Sequence, residues 1–178
     1  HAIDQGFAFG HGNGTNHHYG YNIRKIYDAM WLMRDKIAAR GKTDEYVKVL
    51  AYWSGLAETR KPYVYGRDEL LDSWHTLLIP KIVSALMLPD EAEQYRAMKS
   101  LGVWLSGSLG FTPGTIGGIK PDGTTFHHGG FYPAYSTGAF AMIGYFCKAT
   151  RGTDFTLSEQ ARRNFKLALM TMASYTDL

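Results

Sequence analysis

The sequence predicts an all-α protein built of antiparallel helical hairpins. Three observations carry this. Apolar residues recur at three- and four-residue spacing in successive segments, Gly, Pro or capping residues punctuate those segments, and no stretch alternates apolar and polar residues as a half-buried strand does. At 178 residues, 45% of them hydrophobic, the chain reads as a single globular unit over 1–178.

Taken in order, Ile23, Ile26, Tyr27, Met30, Met33 and Ile37 share one helical face, and Gly41 is placed to end that helix. Thr43 is placed to cap a second helix reaching about Leu56, with Val47, Leu50, Ala51 and Ser54 on one side. A third runs from Asp68 to Leu88 with Leu70, Trp74, Leu77 and Leu78 inward. Pro80 should kink or break it, because proline removes a backbone donor. Asp90 opens a fourth helix carrying Tyr95, Met98, Leu101 and Leu105. The Gly- and Pro-rich segment from Gly107 to Gly123 reads as a long loop, and Ser136 to Thr150 as a fifth, largely buried helix. Thr156 and Glu159 have capping-box spacing for a sixth, continued by Ala161, Phe165, Ala168, Leu169 and Met172.

The chemistry gathers between these helices. The segment PDGTTFHHGGFYPAYSTGAF, Pro121 to Phe140, presents His127, His128, Tyr132 and Tyr135 on a Gly-rich loop. A second loop, Gly6 to Tyr21, repeats those residue types with His11, His17, His18, Tyr19 and Tyr21. Imidazole and phenol groups on adaptable backbone are equipment for proton transfer. A phenol has an ordinary pKa of about 10, so a neighbouring cation or imidazole must help it act as a base. His128 and Tyr135 flank a glycine loop and can converge on one substrate atom.

Other classes find less support. A net charge of +3 is too small to assign nucleic acid and suits an anionic small molecule or an acidic polysaccharide. The lone Cys147 excludes an internal disulfide and reads as core. No apolar run approaches the ~20 residues that cross a membrane. HExxH, CxxC, Walker and dinucleotide-binding patterns are missing. Imidazole suits zinc and copper, but adjacent histidines on an extended chain point opposite ways, which argues against a site drawn from His11, His17, His18, His127 and His128. Among the tryptophans, Trp53 is the candidate for stacking on a sugar ring. The chain begins at His1, and reads as a mature protein or a piece of a longer one.

DGTTFHHGGFYPAYSTGAF resembles the active-site segment of polysaccharide lyase family 8, the chondroitin and hyaluronan lyases, most of all their broad-specificity chondroitin sulfate ABC branch. DQGFAFG at Asp4 to Gly10, HHYGYNIR at His17 to Arg24 and the stretch from Leu71 to Leu88 extend the resemblance along almost the whole chain. It implies an (α/α) toroid, a ring of helical hairpins whose cleft binds an acidic polysaccharide such as chondroitin or dermatan sulfate. The implied reaction is β-elimination: a proton leaves C5 of a uronic acid, and the 4-linked group departs. By the same resemblance Tyr135 is the general acid and a candidate base. His128 is its imidazole partner, as base or as stabiliser of the substrate carboxylate. His17, His18, Tyr19, Arg24, His75 and His127 become substrate-binding candidates. His75 falls near an Asn that helps neutralise the carboxylate, and His127 stands where the ABC branch tends to carry Arg.

The resemblance further implies no obligatory cofactor, although some such lyases use calcium or magnesium to aid substrate binding. It implies export, commonly to a bacterial periplasm, and neither a nucleic-acid nor a membrane partner. Family members complete the site with an Arg and a Glu that belong beyond Leu178. The expectation is therefore an incomplete toroid of helical hairpins, weakly active or inactive alone, whose uncovered apolar faces favour self-association. A competing reading is a non-catalytic helical carbohydrate-binding or assembly module, and a third is a metal-dependent hydrolase.

Overall fold

In the computed structural model the chain is described over residues 16–66 and 69–175, with side chains from residue 20 onward. It is mostly helical, with one small sheet. Helix α1 spans Asn16–Leu32 and α2 spans Arg34–Ala39. The single helix expected from Ile23 thus starts earlier and breaks at Met33. The break leaves Met33 exposed and brings Ile37 into the same buried cluster as Ile23 and Tyr27. Gly41 ends α2 as expected, through a Schellman motif. Lys42 N–H donates to the Ile37 carbonyl at 3.2 Å, Gly41 N–H donates to that of Ala38 at 2.9 Å, and Gly41 has φ 64°.

Helix α3 covers Thr43–Ser54. Thr43 is its first residue and not its cap, because the closure of α2 uses Gly41 and Lys42 and leaves no extended position for a cap. Gly55, at φ 66°, ends α3 and leads into a 3₁₀ turn, Leu56–Arg60. The third helical run comprises α4 (Leu70–Asp72), a π turn (Ser73–Leu77) and α5 (Leu78–Leu86). Its expected start, Asp68, lies outside the described residues. Pro80 withdraws the amide that the Thr76 carbonyl would use, and the turn just before it is widened. Leu70, Trp74, Leu77 and Leu78 point inward as expected.

Asp90 caps α6 (Glu91–Ser108), its carboxylate accepting the Glu93 N–H at 2.8 Å. Tyr95 is not inward: it is exposed and donates to Asp154 at 2.9 Å. The expectation of no strands is corrected by an antiparallel three-stranded sheet, β1 (Gly118–Ile119), β2 (Thr125–His127) and β3 (Gly130–Phe131). Strands this short leave no alternating signature. Helix α7 spans Pro133–Ala149 and begins with its proline, whose missing N–H costs nothing at that position. Helix α8 spans Glu159–Ser174 and is capped by Ser158, which accepts the Ala161 N–H at 3.2 Å; Thr156 is not the cap.

The apolar side chains form two clusters. The larger joins Trp74, Leu78, Leu101, Leu105, Phe140 and Phe146 between α4–α7, and the smaller joins Ile23, Tyr27, Leu50, Trp53 and Val83 around α1, α3 and α5. Helix α5 contributes to both, so the π turn that leads into it lies between α1 and α7. Trp53 is 3% exposed, which removes it as a sugar-stacking platform. Cys147 is only half-buried, at the edge of the larger cluster. Among the described residues no helix is long and apolar enough to cross a membrane.

Candidate active site

The site forms where the π turn passes between the C-terminal part of α1's first turns and the start of α7. A π turn adds a residue to the helical circuit and re-aims the side chains it carries. Here it presents His75, with Asp72 immediately before it. Two glycines admit this close packing. A Cβ on Gly20 of α1 would lie 2.4 Å from Thr76 Oγ1, and one on Gly138 of α7 would lie 2.6 Å from His75 Cε1.

The wall from α1 consists of Tyr21 and Arg24. Tyr21 donates its hydroxyl proton to Asp72 Oδ1 at 2.7 Å, and its ring meets the His75 ring edge-on at 5.4 Å. Arg24 Nη1 lies 3.4 Å from His75 Nε2, and Tyr21 Oη lies 3.5 Å from His75 Nδ1. A guanidinium only donates, so this geometry puts the imidazole proton on Nδ1, facing the phenol oxygen. Burial, and then the Arg24 charge, push the His75 pKa below its ordinary value, while Asp72 opposes them. Burial, followed by the hydrogen bond to Asp72 and that carboxylate's charge, pushes the Tyr21 phenol above its own. Tyr21 is therefore held in its neutral form, with its proton directed at Asp72.

The opposite wall is the β2–β3 hairpin and the first turn of α7. The pairing of His127 with Gly130 leaves His128 and Gly129 as the turn, at φ 52° and φ 75°. Two consecutive left-handed residues are the pattern of a type I′ hairpin. The hairpin is fastened to α7 by the buried Thr125–Ser136 hydroxyl hydrogen bond and by Tyr132 N–H donating to the Thr125 carbonyl at 3.1 Å. His128 is exposed, and Tyr135 is half-buried in the first turn of α7. Their ring centres are 6.1 Å apart, so the two predicted catalytic residues are brought together. Tyr132 packs edge-on against Tyr135 at 4.9 Å.

His127 lies elsewhere than a surface contact should. It is 0% exposed, because alternation along β2 turns Thr125 and His127 to the buried face. Its Nε2 faces Asp72 Oδ2 at 3.4 Å, and its ring stands 3.8 Å from that of His128 and 4.6 Å from that of Tyr135. The expectation that neighbouring histidines diverge assumed extended backbone; the left-handed turn at His128 folds its ring back onto His127. Arg24 and His75, the expected substrate-binding residues whose side chains are described, are half-buried beside one another. The side chains of His17, His18 and Tyr19 lie outside the described residues, as does His11.

Sequence reasoning missed Asp72 and gave Tyr21 no role of its own. A signal for Asp72 was present: an acid inside the apolar run LLDSWHTLLIP, three residues before His75, must find a partner when buried. Among the described residues no group of three or more His, Cys, Asp or Glu side chains is disposed to hold a metal ion.

The helical scaffold here brings imidazole and phenol groups, side chains suited to moving protons, against one another. The chain belongs to the lyase family described as "Lyase, catalytic", which matches residues 1–178. It is 36% identical to a chondroitin sulfate ABC exolyase of Bacteroides thetaiotaomicron, over 99% of this chain and 17% of that protein. It is 30% identical to a chondroitin sulfate ABC exolyase of Proteus vulgaris and 30% to a chondroitin sulfate ABC endolyase of the same organism, over 98% and 99% of this chain. Each Proteus protein is covered over 18% of its length, so the chain spans less than a fifth of these relatives.

Proposed function

We propose that the chain supplies the proton-transfer part of a glycosaminoglycan lyase acting on chondroitin or dermatan sulfate, and on hyaluronan, by β-elimination. The observation that carries this reading is the approach of Tyr135 and His128, with ring centres 6.1 Å apart on a fastened hairpin and helix start. In the reaction a base removes the proton from C5 of the uronic acid. The freed electron pair becomes the C4–C5 double bond as the C4–O bond breaks, and the departing oxygen takes a proton from an acid. Tyr135 is the acid. His128, exposed on the turn, takes the C5 proton. The sugar carboxylate gains charge as C5 is deprotonated and must meet positive charge or donors. Arg24 supplies the charge, and His75, which burial and Arg24 keep neutral, supplies polar contact without competing for the proton.

The same reading makes the chain one unit of a larger catalytic domain, part of an (α/α) toroid, in an enzyme exported from the cell. The test is to incubate the protein with chondroitin sulfate, following the ultraviolet absorbance of the unsaturated uronide and glycan binding in parallel. Absorbance should rise in a full-length enzyme that contains this chain and weakly or not at all with the chain alone, and Tyr135→Phe in the full-length enzyme should abolish the rise while binding persists. Turnover undiminished in Tyr135→Phe would sink the assignment. Binding without any rise in the full-length enzyme would favour a carbohydrate-binding module instead, whereas the same result with the chain alone marks an incomplete lyase site.

A further inference from the structure

Asp72 is 1% exposed and His127 0%. A carboxylate so enclosed persists only when its oxygens are engaged, and those of Asp72 face two different walls of the cleft. Oδ1 accepts from Tyr21 of α1, and Oδ2 stands at ion-pair distance, 3.4 Å, from His127 Nε2 of β2, a contact that is not a hydrogen bond. His127 in turn touches both groups that the proposed reaction uses, with its ring tilted 36° to His128 and 39° to Tyr135. Enclosure leaves it no surface with which to reach a substrate. Its contacts run from Asp72 on one side to the reacting rings on the other.

We propose that Asp72 and His127 are positioning residues, a buried pair that fixes the Tyr135 phenol and the His128 imidazole relative to α1 and to the π turn. This rests on the lyase reading above. A displacement of ~1 Å at reacting atoms can cost ~100-fold in rate, so a buried ring packed behind both reacting rings bears directly on the reaction. Asp72 is the node: the same carboxylate anchors Tyr21 beside Arg24 and His75, so the acid–base wall and the carboxylate-binding wall share one reference point.

The test uses Asp72→Asn, which keeps the shape and an acceptor for Tyr21, and His127→Phe, which keeps a ring against Tyr135 but removes the nitrogen facing Asp72. Placed in the full-length enzyme, each should lower kcat on chondroitin sulfate by ~10–100-fold with KM changed less than ~2-fold, because Asp72→Asn keeps an acceptor for Tyr21 and neither substitution alters Arg24 or His75. The double variant should be no worse than the more damaged single one, since both break the same link. A KM increase at constant kcat would overturn the proposal and return His127 to substrate contact. Losses that multiply in the double variant would also overturn it. If the unsubstituted full-length enzyme yields no unsaturated product, the lyase reading fails by itself, and the pair is judged by side-chain NMR. Asp72→Asn should then move the Tyr135 ring resonances through His127, and unmoved resonances would refute the pairing.

Discussion

Gly138 lies against the face of His75: a Cβ at that position would stand 2.6 Å from Cε1, 2.7 Å from Nε2 and 2.9 Å from Cδ2 of the imidazole. The glycine is therefore what lets α7 and the π turn approach closely enough for Tyr135 and His75 to serve one cleft. In Gly138→Ala the obstacle is the end of a half-buried side chain, which can swing, and the helix gains ~1 kcal/mol of intrinsic propensity. We expect stability within ~1 kcal/mol of the parent, but a His75 ring displaced from Arg24 and Tyr21. Thermal unfolding and the His75 imidazole resonances check this. A large fall in melting temperature with His75 unmoved would show that the ring is clamped more firmly than its surroundings suggest.

Gly102 makes the opposite case. A Cβ there would meet the Phe155 carbonyl oxygen at 2.4 Å, and that oxygen is backbone. It cannot rotate away, so α6 must part from the segment leading into α8. Gly102→Ala should destabilise by ~1–3 kcal/mol in spite of the better helix former. Equilibrium denaturation would measure it; an unchanged midpoint would mean that the 155 segment moves freely.

What could be read from the sequence divides along the same line between local and distant causes. Gly41 and Asp90 act on neighbours within a turn, and the helix ends near them were legible. His128 and Tyr135 stood out because a glycine-rich loop dense in His and Tyr has no structural need to be so. The role of Asp72 depends on Tyr21 and His127, which come from other parts of the chain, and nothing in the local pattern joins them. The sheet escaped notice because two- and three-residue strands are too short for periodicity. Helix α1 began earlier than expected because HHYGYN, rich in polar residues and glycine, hid a helix whose glycine serves a crossing.

Acid should weaken the fold through His75. Its folded pKa lies below the ordinary value of 6.5, from burial first and the Arg24 charge second. Above that value both states are neutral and the group contributes no pH dependence. As pH falls through it, the unfolded chain binds the proton before the folded one does, so stability declines until the depressed folded pKa is reached and then levels. Tyr21 runs the other way: its folded pKa is raised above the ordinary 10.0, so its stabilisation is complete below that value and is lost as pH rises toward the folded one. Denaturation midpoints across the acid side of neutrality should fall in the parent and fall less in His75→Gln. Equal slopes in the two proteins would remove His75 as the cause.

His128 occupies a backbone conformation that suits asparagine or glycine better. Its φ of 52°, followed by Gly129 at 75°, gives the hairpin a turn whose preferred sequence is Asn-Gly. A non-glycine residue in the left-handed region costs roughly 1–2 kcal/mol, and least for Asn, whose short polar side chain bonds locally. His128→Asn should therefore stabilise the protein by ~0.5–1 kcal/mol, with the loss of the ring contact to His127 at 3.8 Å subtracting from that gain. Turnover should fall by ~10²–10⁴-fold, the usual contribution of a positioned acid or base. The two effects have opposite signs, and this is what separates a functional histidine from a structural one. A variant that lost stability along with activity would mean that His128 is kept for its packing on His127, and the strain at the turn would then need another explanation.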